Sequence, residues 1–140
     1  MRRINLIVLA FVLFQTFSFA QKNKTKLLLG KWEWIESSGG FGGGILTPKT
    51  EAYTIRVEFT KKNIFKSYKD GVFNTQNNIK FVTGKSVYSQ EEQLLIKYFK
   101  GTSADMSMMN DSFEFKGKDT LILKQECHDC YTRAFVRIKK

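Results

Sequence analysis

Two tryptophans two residues apart place the tightest constraint on this chain. Trp32 and Trp34 lie in Gly30-Lys31-Trp32-Glu33-Trp34-Ile35, directly behind the run Leu27-Leu28-Leu29. Period-2 spacing puts both indoles on one face of a strand. An indole is too large to leave in water, and its N–H needs a partner once buried. That face therefore demands a thick core with a hydrogen-bond acceptor in it. The last apolar segment, Phe135-Val136-Arg137-Ile138, is a candidate to pack there.

The segment before the tryptophans reads as a leader. Met1-Arg2-Arg3 is followed by an apolar stretch from Ile4 to Phe14 and by Ser18-Phe19-Ala20, with small residues three and one positions before a cut. This is the pattern of a secretory signal peptide over residues 1–20. Gln15, Thr16 and Ser18 interrupt the run before it reaches the roughly 20 apolar residues of a membrane span. No cysteine follows it to carry a lipid anchor. Residues 21–26 are polar and basic and read as a disordered lead, which leaves 27–140 as one domain.

The chain carries a net charge of +10, or +8 without Arg2 and Arg3. Its lysines are scattered, as in Lys61-Lys62, Lys97, Lys116 and Lys139-Lys140, and this argues against a dedicated nucleic-acid face. A solvated basic surface is the simpler account, with contact to envelope polymers or a membrane surface as a further expectation.

A first strand is expected from about Leu28 to Glu36. The segment Ser37 to Pro48 holds five of the ten glycines and the only proline, yet also Phe41, Ile45 and Leu46. It reads as a loop folded over the end of a core. Tyr53, Ile55, Val57 and Phe59 then alternate with Thr54, Arg56, Glu58 and Thr60, the signature of a strand with one wet face. Asp70-Gly71 is a two-residue hairpin signal. Further strands are expected at Val72-Phe73, Ile79–Thr83, Val87-Tyr88, Leu94–Phe99, Phe113–Phe115, Leu121–Lys124 and Tyr131–Ile138, with Gly84 as a bulge or bend. No segment has a convincing amphipathic-helix pattern.

Eight or nine short strands at hairpin spacing must dispose of their edges, by closing into a barrel or stacking into a sandwich. No widely spaced cysteine pair brackets a tryptophan as in a sandwich core. The expected fold is all-β, an antiparallel up-and-down barrel of eight to nine strands.

Gly30-Lys31-Trp32 on a first strand soon after a leader, the hairpin-linked strands and an arginine in the last strand together resemble the lipocalin-like, or calycin, barrels. The resemblance implies that Trp32 sits at the closed end of the barrel and that Arg137 packs across it, with Arg133 on the same strand face as the fallback. Guanidinium over indole is a cation–π contact. The absence of a helix pattern before the last strand and the short chain make it most similar to a compact secreted bacterial lipocalin-like domain.

Cys127-His128-Asp129-Cys130 joins two expected strands. A redox C-x-x-C needs a helix N-terminus to lower a thiol pKa, so a local disulfide stapling the turn is the leading account. Free thiols or a metal site are the alternatives. His128 is the only histidine and would complete just three ligands, one short of a closed zinc site. Met106, Met108 and Met109 offer soft thioethers for Cu(I), but methionine more often fills apolar gaps. No metal or other cofactor is expected.

Nothing favours hydrolysis: no nucleophile elbow or phosphate-cradling loop occurs. Glu91, Glu92, Asp105 and Asp111 read as solvated surface carboxylates. Nine phenylalanines, five tyrosines and two tryptophans after residue 20 are enough to fill a small barrel. Two expectations follow. The first is an exported, monomeric, non-enzymatic binder, periplasmic or secreted, of a small hydrophobic or amphipathic ligand at the open end, near Phe41, Ile45, Leu46, Met106, Met108 and Met109. The second is a solid barrel that engages envelope polymers or a protein through its basic surface.

Overall fold

A computed structural model describes residues 23–100 and 107–139, with 107–109 described by backbone alone. Residues 23–28 form a short helix, α1. The elements that follow are β1 (Gly30–Gly39), β2 (Gly44–Leu46), α2 (Pro48–Glu51), β3 (Ile55–Phe59), β4 (Ile64–Lys69), β5 (Val72–Lys85), β6 (Glu92–Phe99), β7 (Ser107–Lys116), β8 (Thr120–Gln125) and β9 (Tyr131–Arg137). The strands run in the order β2-β1-β3-β4-β5-β6-β7-β8-β9, and β1 also pairs with β9. All pairings are antiparallel, so eight strands close a barrel and β2 is an addition to it.

One edge of β1 is shared. Gly30 to Glu33 pair with Phe59 to Arg56 of β3, while Ser37 to Gly39 pair with Leu46 to Gly44 of β2. β2 thus continues the wall where β3 stops. Opposite β9 the register of β1 shifts between Trp34 and Glu36. This bulge leaves Ile35 and Glu36 exposed and turns Ser37 inward. The Ser37 hydroxyl then accepts the Trp34 indole N–H at 2.9 Å.

At the closed end Trp32 is fully buried and its indole N–H donates to the Leu28 carbonyl at 2.9 Å. The Arg137 guanidinium lies 4.1 Å from the Trp32 ring centroid. It also donates to the Leu29 and Leu27 carbonyls at 3.0 and 2.6 Å, so it ends α1 by taking up carbonyls that the helix leaves unpaired. Gly30 is required at this crossing: its φ is +126°, and a Cβ there would meet Arg137 Nη1 at 3.2 Å. Leu28, Phe59, Ile96, Phe113, Leu121 and Phe135 complete the core around it.

Several local expectations are corrected. Residues 23–28 are helical, not a disordered lead, and the first strand begins at Gly30, not Leu28. The C-terminal carbonyls of the helix are held by the distant Arg137, a contact that local sequence cannot reveal. The glycine-rich segment is a hairpin and a single turn of helix, capped by Thr47, whose hydroxyl accepts the Thr50 N–H. Val72 to Lys85 is one 14-residue strand, because β4 pairs its first half and β6 its second. Gly84 pairs with Gln93 in unbroken register; its lack of a side chain accommodates Leu95, whose Cδ1 would lie 3.1 Å from a Cβ. Val87-Tyr88 is a turn, fastened to the β8–β9 corner by the Val87 N–H on Glu126 at 2.7 Å and the Tyr88 hydroxyl on the Gln125 carbonyl at 2.8 Å. Asp70-Gly71 forms the expected tight hairpin, with φ values of 50° and 79°.

Cys127 and Cys130 form a disulfide across the β8–β9 turn. Such a bond belongs to an oxidising environment. Its loop is short, so its removal in a Cys127→Ser/Cys130→Ser variant is expected to cost only about 2 kcal/mol in urea unfolding, with the barrel still formed. Loss of the cooperative transition would instead make the staple indispensable. Among the described residues no helix is long and apolar enough to cross a membrane.

Candidate functional site

The barrel is not filled. Above the layer of Trp32 and Arg137, the inward side chains leave a cavity of about 440 Å³. Its apolar base is Trp34, Val57, Phe65 and Phe135. Ile55 and Tyr68 add to this lining, and polar side chains are placed around it: Ser67 from β4, Asn74, Thr75 and Asn77 from β5, Tyr98 from β6, Asp111 from β7, Gln125 from β8 and Arg133 from β9. Lys69 and Lys100, both exposed, also line it.

The polar stretch Asn74 to Asn78, which in the sequence parts the expected strands Val72-Phe73 and Ile79–Thr83, lies within β5. Thr75 and Asn77 face the cavity, where polar side chains keep contact with solvent that a packed core would deny them. On the other wall, Tyr53 stacks on Trp34 with ring centroids 5.7 Å apart, and Lys69 Nζ sits 4.0 Å above the Tyr53 ring. Three side chains from β1, the segment before β3 and β4 are held in a layer at one side of the cup.

The most unusual feature of the wall is a buried charge cluster. Asp111 is 1% exposed, and its Oδ2 accepts both an Arg133 Nη2 proton and the Tyr98 hydroxyl, each at 2.8 Å. Asp111 Oδ1 and Arg133 Nε are buried without a partner. Burial raises the Asp111 pKa above the ordinary carboxylate value, against the opposing pull of Arg133 and the Tyr98 hydrogen bond. Burial together with the nearby Asp111 charge drives the Tyr98 phenol well upward. Tyr98 therefore stays a hydrogen-bond donor, and the cluster gives the cavity a polar wall whose two formal charges cancel.

The sequence treats Asp111 as a surface carboxylate, and the structure corrects this. It lies on β7 opposite Gln125, with its side chain inside the barrel. Arg133, the fallback partner for Trp32, instead binds Asp111, four residues before Arg137 on the same inward face of β9. Phe41 and Ile45 project from the β1–β2 hairpin, 98% and 62% exposed, while Leu46 is half-buried against the core. None of the three lines the cavity, because β2 pairs alongside β1 and does not fold across the opening. Met106 and Asp105 lie outside the described residues, and Met108 and Met109 fall on β7 with backbone alone described. Among the described residues no cluster of three or more His, Cys, Asp or Glu is placed to hold a metal ion.

The fold and cavity define a closed antiparallel β-barrel with an internal cup. No protein family model matches the chain, and neither a curated protein nor a solved structure matches it significantly.

Proposed function

We propose that this is an exported, lipocalin-like barrel that holds a small hydrophobic or amphipathic molecule in its cup and carries out no catalysis. The observation that supports this is the cavity of about 440 Å³, with an apolar base of tryptophan, valine and phenylalanine under polar walls. Small-molecule sites have this size and this mixture of an apolar lining with a few placed polar groups. An apolar tail on Trp34 and Phe135 gains burial, and a polar end meets side chains that can hydrogen-bond it. The leader pattern at residues 1–20 and the Cys127–Cys130 disulfide support export to an oxidising compartment.

Titration with the uncharged fluorescent probe N-phenylnaphthylamine tests the reading. Saturable uptake of one probe per chain, displaced by fatty alcohols or fatty acids, is the expected result. Absence of saturable uptake contradicts it.

A further inference from the structure

We propose that the cavity end of the barrel docks on an anionic lipid bilayer, inserting the tips of two neighbouring turns that carry Phe41 and Ile45 on one and Val72 and Phe73 on the other. These residues are 98%, 62%, 70% and 56% exposed, the four most exposed large apolar side chains among the described residues. Isolated exposed apolar residues are ordinary, but a concentration at one end of a molecule marks an interaction surface.

The topology places the two tips at one end of the barrel. β2 continues the wall of β3 along β1, and the chain returns from it through α2 to Thr54. Thr54 is then locked to the β4–β5 turn: its N–H donates to Asp70 Oδ1 at 2.7 Å, and its carbonyl accepts the Asp70 N–H at 3.0 Å. The β1–β2 tip and the β4–β5 tip thus stand at the same end of the barrel, on neighbouring stretches of its wall. Phe73 is anchored from behind by an edge contact with Tyr68, 5.9 Å between centroids, and Tyr68 itself lines the cavity. Gly40 lets the Tyr131 ring lie against the other tip, since a Cβ there would meet that ring at 2.8 Å.

A lipid surface suits this arrangement better than a protein. The apolar groups stand on separate turn tips and offer no continuous face for shape-complementary packing, whereas insertion into an interface requires none. Aromatic side chains with adjoining lysines favour the headgroup boundary. Lys69 and Lys100 lie at the same end, beside Asp70 on the β4–β5 turn. Without residues 1–20 the net charge is +8, which draws the chain toward an anionic surface at long range. Docking in this orientation presents the cup to the bilayer, although the surface itself does not depend on what the cup holds.

Vesicle flotation of the protein recovered after export, with its mass checked for loss of residues 1–20, tests the proposal. One set of vesicles contains phosphatidylglycerol with phosphatidylethanolamine, and the other phosphatidylcholine alone. The wild type is expected to float with the anionic vesicles and much less with the neutral ones. The variant Phe41→Ser/Phe73→Ser should lose at least about tenfold in partition, with its unfolding transition unchanged because both positions are exposed. No flotation of the wild type, or equal flotation on both vesicle types, overturns the anionic bilayer as partner. Undiminished flotation of the variant overturns insertion and leaves surface charge as the cause.

Discussion

Replacement of Trp32 by alanine is expected to lower stability by about 3 to 5 kcal/mol in urea unfolding, the range for removing a large aromatic from a packed core. Three contacts go at once. The indole fills the fully buried centre of the closed end, its N–H holds the Leu28 carbonyl, and its face carries the Arg137 guanidinium at 4.1 Å. Arg137 in turn holds the Leu27 and Leu29 carbonyls, so losing the ring also loosens α1 from the barrel. Arg137→Met should cost less, because the indole still packs on Leu28 and Phe115. A loss below about 1 kcal/mol for Trp32→Ala, within the scatter of surface changes, would show that the closed end is not organised around this ring.

The second large effect lies in the cavity wall. Arg133→Met is expected to cost about 3 kcal/mol, because it leaves the Asp111 carboxylate buried with only the Tyr98 hydroxyl to answer it. Adding Asp111→Asn to that variant should restore most of the loss, since an uncharged amide needs no counterion. The four proteins of this double-mutant cycle separate the charge pair from the packing of either side chain. A loss that persists in the double variant would mean that the Asp111 charge is not what makes Arg133 necessary.

Features governed by nearest neighbours were legible in the sequence. The alternation from Tyr53 to Phe59 is a wall strand, Asp70-Gly71 is a tight hairpin, and Cys127 to Cys130 staples a turn. Trp32 and Arg137 are separated by 105 positions; their pairing was implied by the resemblance to lipocalin-like barrels, not by local pattern, and they are register partners. Features that depend on distant contacts were hidden. The polar residues of α1 give no helix signal, and the helix ends on Arg137 from the far end of the chain. Asn74 to Asn78 interrupts the strand pattern in the sequence because Thr75 and Asn77 face the cavity and so lack the apolar alternation of a strand facing a packed core. Asp111 precedes Phe113 and Phe115 at strand spacing, which was the available signal for its inward direction. What could not be read locally is that Tyr98 and Arg133, on two other strands, converge on it.

The cup is the centre of the functional account, and occluding it is the most direct test. Ser67 is buried on β4 and lines the cavity, so Ser67→Phe places a ring in the space a ligand would use. In parallel titrations with N-phenylnaphthylamine, the wild type is predicted to take up one probe saturably, and the Ser67→Phe chain, folded by circular dichroism, to lose at least about tenfold in affinity. Equal affinity in the two chains, or no saturable uptake by the wild type, would contradict the account.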